Sequence, residues 1–333
     1  MKNNTSIFGK IKSCAAALLS GAMILAGGVL LPGCKAKGFG KDAQGKVKVL
    51  ASIYPMYDFV KRIGGDLVSV SMMVPAGTEP HAWEPSTRDM MQLEEADLFV
   101  YSGAGMETWA EDVLKGVQNK NLTVLEASSG VELIKLWEGD HDDHDEHEEH
   151  EHEGAGHYHG EYDPHVWLSP KNAAIEMKNI AEALKKIDPA HASDYDKNYQ
   201  AAKDECDKLD GEFATALAGA EGKYIVVAHE AYGYLCREYG LKQLGIEGVS
   251  ADQEPDAARM REIIDLVAQY GVKCIFFEEL VNPKVAQTIA EEAGCSTQAL
   301  SPLDGLTQAD IDAGRDYFSV MQDNLAAIKK ALG

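Results

Sequence analysis

An α/β fold is predicted for this 333-residue chain by three features: short β-branched runs alternate with helical patterns, the alternation resumes in the second half, and one long helical stripe separates the halves. The first strand is read in the apolar run Val47 to Ile53, followed by a helix from Met56 to Ile63 and a strand from Val68 to Val74. A helix from Arg88 to Glu95 leads into the strand Asp97 to Tyr101. A helix from Glu107 to Lys115, a strand from Leu122 to Glu126 and, beyond a polar tract, a helix from Asn172 to Lys186 complete the first half. The second half opens on the strand Tyr224 to Ala228, the helix Gly233 to Tyr239 and the strand Lys242 to Ile246. The helix Asp256 to Tyr270, strand Cys274 to Glu278, helix Pro283 to Glu292 and strand Thr297 to Leu300 follow, and a helix from Asp316 to Leu332 closes the chain.

Between the halves, Ala192, Tyr195, Tyr199, Ala202, Cys206, Leu209, Phe213 and Ala216 recur three and four apart, which makes one continuous apolar face. A helix from Ala192 to Leu217 would span about 40 Å at 1.5 Å per residue, long enough to lie along both halves. Cys and Ala make poor seam residues for a coiled coil, so the stripe is read as an intramolecular brace.

The amino terminus carries Lys2, Lys10 and Lys12 ahead of an apolar stretch from Cys14 to Leu31, the pattern of an export signal. The segment Leu31-Pro32-Gly33-Cys34 resembles the lipobox of bacterial lipoproteins, which implies lipidation at Cys34 and a chain anchored to the cell membrane outside the cytoplasm. An uncleaved membrane anchor is the competing reading. The Gly- and Lys-rich residues that follow read as a flexible tether. A formal net charge of -23 disfavours nucleic acid as a partner. Four cysteines lie beyond the signal and lipobox: Cys206, Cys236, Cys274 and Cys295. Cys274 with Cys295 is the pair to test for a disulfide in an oxidising compartment, although buried thiols are the preferred reading.

The run from His141 to His152 is almost wholly imidazole and carboxylate, with His141, His144, His147, His150 and His152 extended by His157 and His159. Without apolar periodicity it cannot bury a core and reads as a mobile loop. Recurrent imidazole favours zinc, copper or nickel over calcium or magnesium, so these histidines are read as an auxiliary metal site. Of the remaining histidines, His191 opens the long helix and is read as a cap or surface residue. His81 lies in the loop after the strand Val68 to Val74, His165 in the turn Asp163-Pro164-His165, and His229 directly follows the strand Tyr224 to Ala228. Ligands of open α/β sheets gather beyond the carboxyl ends of strands, so these three are candidates for one cleft.

Gly77-Thr78-Glu79-Pro80-His81 with Glu84-Pro85-Ser86, then Asp163 to Trp167, Ala228 to Tyr234 and Gly248 to Pro255 resemble, in order, the metal-binding lipoproteins of ABC uptake systems. The match is nearest the zinc-specific ZnuA/AdcA type and spans essentially the whole mature chain. The resemblance implies two (β/α) lobes with parallel-type sheets, joined by one long rigid helix, with Zn2+ bound in the cleft and delivered to a membrane permease. It implies that His81, His165 and His229 are metal ligands, and that the fourth ligand is a carboxylate falling on Asp304, with Glu278 and Glu279 as rivals. Glu230 adjoins His229 but is expected to point elsewhere. In manganese-binding relatives a glutamate replaces the third histidine, and three imidazoles with one oxygen suit tetrahedral zinc.

The boundaries expected are a lipoprotein signal peptide 1–33, a tether 34–46, a first lobe 47–190 with the loop 140–160, a linking helix 191–219 and a second lobe 220–333. Enzyme readings are weak. His229-Glu230 begins like a zinc-protease motif but Gly233 stands where the second His belongs, and Gly103-Ala104-Gly105 imitates a dinucleotide fingerprint with Thr108 at its third glycine. The expectation is therefore a monomeric zinc receptor rather than an enzyme. A manganese or other divalent-metal receptor, an extracytoplasmic zinc hydrolase and a zinc-buffering or adhesive lipoprotein are the alternatives.

Overall fold

In the computed structural model, residues 45–136, 161–249 and 255–333 are described. The signal peptide, Cys34 with most of the tether, the His tract and residues 250–254 lie outside them. The first half forms β1 (Val47–Ala51), α1 (Tyr54–Gly64), β2 (Val68–Met72), α2 (Thr87–Glu95), β3 (Leu98–Tyr101), α3 (Ala110–Gly116), β4 (Thr123–Glu126) and α4 (Pro170–Ile187). The long helix α5 (Ala192–Ala216) follows. The second half forms β5 (Tyr224–Val227), α6 (Gly233–Tyr239), β6 (Lys242–Gly245), α7 (Ala257–Tyr270), β7 (Cys274–Phe277), α8 (Lys284–Ala293), β8 (Ser296–Ala299), α9 (Gln308–Asp312) and α10 (Tyr317–Leu332).

Each half holds one four-stranded sheet, ordered β2-β1-β3-β4 and β6-β5-β7-β8, and every strand pairing is parallel. Parallel strands covered on both faces need continuous apolar runs; β3, β5 and β7 supply them, and β1 is interrupted only by Lys48. In each sheet the strand order reverses between the two central strands, so a crevice opens beyond their carboxyl ends. The helices start and stop on local chemistry. Ser86 and Asp89 form a capping box for α2, Asp256 caps α7, Asp316 caps α10, and Gly240, Gly271 and Gly294 close α6, α7 and α8 in the left-handed conformation.

The stripe on α5 is buried at Tyr195, Ala202, Cys206, Leu209 and Phe213. It packs on α1 and α4 of the first half and on α10 of the second. A single apolar cluster consequently runs from Val49 and Phe59 through Trp167 and Phe213 to Ile225, Leu300 and Tyr317. Further bonds cross between the halves: Trp167 Nε1 donates to the Pro302 carbonyl at 2.8 Å, Tyr317 Oη to the Trp167 carbonyl at 2.7 Å, and Arg62 pairs with Asp316 at 2.7 Å.

Two sequence expectations shift. Helix α3 begins at Ala110 rather than Glu107, because the Glu107 carboxylate is occupied outside the helix, accepting from Ser52 Oγ at 2.5 Å and from the Ser102 and Gly103 amides at 2.9 Å. The short helix α9, capped by Thr307, was not foreseen, because five residues carry too little periodicity to read. All four described cysteines are free. Cys274 packs into the large cluster with Phe276, whereas Cys295 packs with Ile275 on the other face of the sheet, so the pair is separated by the strands themselves.

One buried group works against stability. Glu176 on α4 is fully buried, and neither carboxylate oxygen meets a hydrogen-bond donor among the described residues. Burial, and then the charge of Glu107, hold its acid well above the ordinary glutamate range. The folded state therefore keeps a proton that the unfolded chain releases above that range, and stability falls as pH rises toward the folded pKa. Glu176→Met should raise stability at neutral pH by about 1–3 kcal/mol, the usual cost of an unsatisfied buried polar group, and should flatten this pH slope. Thermal unfolding from pH 4 to 8 checks both. An unchanged or lowered midpoint at pH 7 would show that Glu176 has a compensating partner.

Candidate metal centre

Four loops meet beyond the strand ends of both sheets, and each supplies one donor. His81 lies in the 75–86 connection after β2. Gly77, with φ +77°, turns this loop against the second half, where its amide donates to the Leu306 carbonyl at 2.8 Å. The Glu79 carboxylate accepts the His81 amide at 3.0 Å. His165 sits in a turn made by its own sequence: Asp163 Oδ1 accepts the His165 backbone amide at 2.9 Å and its ring Nδ1 at 2.9 Å. His229 lies two residues past β5, and its Nδ1 meets Glu278 Oε1, just after β7, at 2.6 Å. Asp304 follows β8 behind Leu303, whose φ of +62° is unusual for a branched side chain and orients the acidic residue next to it.

One ligand atom from each of His81, His165, His229 and Asp304 lies within 4.8 Å of every other. His81 Nε2 is 3.2 Å from His165 Nε2, which is 3.2 Å from His229 Nε2. With zinc–nitrogen bonds near 2.0 Å, the edge of a tetrahedron is about 3.3 Å, so this spacing already suits a four-coordinate ion. His165, His229 and Asp304 are buried and His81 is partly exposed.

The protonation pattern follows from the partners. Carboxylates accept, so Nδ1 of His165 and of His229 carry hydrogens and Nε2 is the free lone pair of each neutral ring. Lone pairs at such spacing repel unless a proton or a metal ion lies among them. Burial, reinforced by the charge on His229, holds His165 well below its ordinary value. Burial also acts to lower His229, but the charge and hydrogen bond of Glu278, with Asp304 and Glu79 beyond, carry it up to about 9. Burial and then the charge of Glu79 hold Asp304 well above the ordinary carboxylate range. Burial lifts Asp163 to about 7 against the His165 amide and the charge of His229. Asp304 Oδ2 is buried with no hydrogen-bond partner among the described residues, so its lone pairs are free to bind a cation.

The two rival carboxylates lie elsewhere. Glu278 stands behind His229 on the Nδ1 side, Glu279 is exposed, and neither belongs to the four-atom cluster. The Glu230 side chain lies against Gly245, and His191 Nδ1 meets Asp188 at 2.7 Å at the head of α5. The orienting roles of Asp163 and Glu278 were not read from the sequence. Asp163, two residues before His165, carried a local signal, since Asp commonly accepts the amide two residues on. Glu278 carried none, lying 49 residues from His229.

Residues 49–331 match the family model described as zinc-uptake complex component A, periplasmic. Among curated relatives, the zinc-binding protein AdcA of Streptococcus pyogenes serotype M3 is 42% identical over 290 residues, covering 86% of this chain and 56% of its own length. This chain thus spans little more than half of that relative. The high-affinity zinc uptake system protein ZnuA of Bacillus subtilis is 41% identical over 295 residues, covering 87% of this chain and 89% of its own. The crystal structure of the Zn(II)-bound ZnuA-like domain of Streptococcus pneumoniae AdcA is 36% identical, with a TM-score of 0.72 over 86% of this chain and 99% of that one.

Proposed function

Because this chain belongs to the zinc-uptake complex component A family, we propose that it is an extracytoplasmic, lipid-anchored receptor that captures Zn2+ between its two halves and passes it to the membrane permease of an ABC importer. The observation that carries this reading is the meeting of three imidazole Nε2 atoms, two of them on buried rings, with the buried Asp304 carboxylate, whose Oδ2 has no hydrogen-bond partner among the described residues. His81, His165, His229 and Asp304 are the proposed ligands. Four protein donors complete a tetrahedral zinc sphere and leave no position open for a reacting water, so the site is one of capture rather than hydrolysis. Three imidazoles also disfavour manganese, which prefers more oxygen.

The His tract, from His141 to His159, is assigned an auxiliary role: holding zinc weakly and raising the concentration of zinc available to the site. Titration calorimetry should resolve one tight site and a weaker class, and deletion of residues 140–160 should remove only the weaker class. Loss of tight binding on that deletion would place the primary site in the tract. A structure phased at the zinc absorption edge tests the ligand set directly, since an ion centred away from the four side chains would overturn it. Co-isolation of the membrane-anchored chain with a permease tests the partner.

A further inference from the structure

Gly233, the first residue of α6, has no backbone reason to be glycine, because its φ is not in the left-handed region. Glycine at that place costs conformational entropy. Its explanation is spatial. A Cβ built on Gly233 would overlap Asp163 Oδ2, and Asp163 has little freedom to give way: its Oδ1 holds both the Nδ1 and the backbone amide of His165 at 2.9 Å. The Asp163 carbonyl accepts Tyr234 Oη at 2.8 Å, so the same residue is clasped twice by the start of α6. The turn before that helix is held in place by Gln243, which accepts the Tyr232 amide at 2.8 Å. Gly233 lies four residues after His229. The bare backbone of one half therefore serves as the stop against which the other half's histidine carrier rests.

We infer that Gly233 is a positioning residue of the metal centre: through its contact with Asp163 it sets the separation of His165 from His229, and so favours ions of zinc's radius over larger ones such as cadmium. This rests on reading the four-residue cluster as a zinc site. In a tetrahedron each edge grows by about 1.6 times any lengthening of the bonds, so a fixed His165–His229 separation discriminates by radius. A methyl group at position 233 pushes the Asp163 carboxylate aside, frees the His165 ring and relaxes that constraint.

The test compares Gly233→Ala, Asp163→Ala and the double variant with the wild-type chain. Zinc and cadmium affinities are measured by chelator competition, and the cobalt(II) visible spectrum reports coordination. Gly233→Ala should weaken zinc by about tenfold to a hundredfold, the range typical of lost orienting partners. It should weaken cadmium less, and shift the cobalt spectrum away from the intense tetrahedral bands. On the Asp163→Ala background the glycine substitution should change nothing further, because the atom it displaces is gone. That comparison remains informative if Gly233→Ala alone folds poorly. Gly211→Ala, on α5 with open space around its Cβ, is the control and should match wild type. A wild-type zinc-to-cadmium ratio and cobalt spectrum in Gly233→Ala would overturn the inference, as would a loss on adding Gly233→Ala to Asp163→Ala as large as the one it causes in the wild-type chain. A wild-type chain that takes up no zinc would instead overturn the reading of the site itself.

Discussion

His229→Ala is expected to lower zinc affinity at the tight site by about a hundredfold or more. Structural zinc sites of four ligands bind with apparent free energies of about 10–16 kcal/mol, so one ligand in four is worth roughly 3 kcal/mol, or two decades in affinity. The loss at this position exceeds that of a merely absent donor. His229 Nδ1 is the partner of the buried Glu278 carboxylate, and its removal leaves that acid facing a cavity. His81→Ala, at a partly exposed ring, should cost less, because water can enter to fill the vacated position. Competition with a fluorescent zinc chelator measures both. Wild-type affinity in His229→Ala would remove this residue from the ligand set.

Zinc affinity should also climb by at least about a decade for each pH unit up to roughly pH 9, where His229 deprotonates. The direction follows from competition. Below that value His229 carries a proton that zinc must displace, so acid favours the proton, and between pH 8 and pH 5 at least about three decades of affinity are lost. His165, held neutral by burial, adds nothing to this slope, whereas any proton on Asp304 steepens it. Calorimetry in buffers of different ionisation heat should therefore record at least one proton released per zinc at pH 7. A pH-independent affinity from 5 to 8 would mean that the site binds through groups already unprotonated.

The fold was legible because its strands are short, apolar and bounded by turn residues, while its helices repeat at 3.6 residues. Where the reading failed, a side chain had an engagement that no local pattern discloses. Glu107 belongs by composition to the start of a helix, yet the amides of Ser102 and Gly103 hold it outside. The three cleft histidines stand out by their positions after strands, and the structure brings them together with Asp304. What composition and spacing could not reveal is how each ring is aimed. Glu278 resembled a ligand on paper because it ends a strand, and only the folded chain places it on the Nδ1 side of His229, outside the four-atom cluster. Gly233 looked merely like the residue that spoils a protease motif, when its lack of a side chain is what Asp163 leans on.

The brace formed by α5, with the bonds that cross from Trp167 to Pro302 and from Tyr317 to Trp167, bears on how long a captured ion stays. For a nanomolar site loaded at about 10⁷ per molar per second, the escape rate is about 0.01 per second, a residence of minutes. Wide spontaneous breathing would shorten that, and it would have to disrupt the packing of the 25-residue α5 on α1 and α4 of one half and α10 of the other. On the proposal that this chain is a zinc receptor, unloading on the timescale of transport calls for outside help at one spot. The 75–86 loop is the place to push: it carries the one partly exposed donor, and the hydrogen bond from Gly77 to Leu306 fastens it to the opposite half. On that proposal, a permease that broke this fastening would free His81 from the cluster and shorten the dwell of the ion while leaving the brace in place.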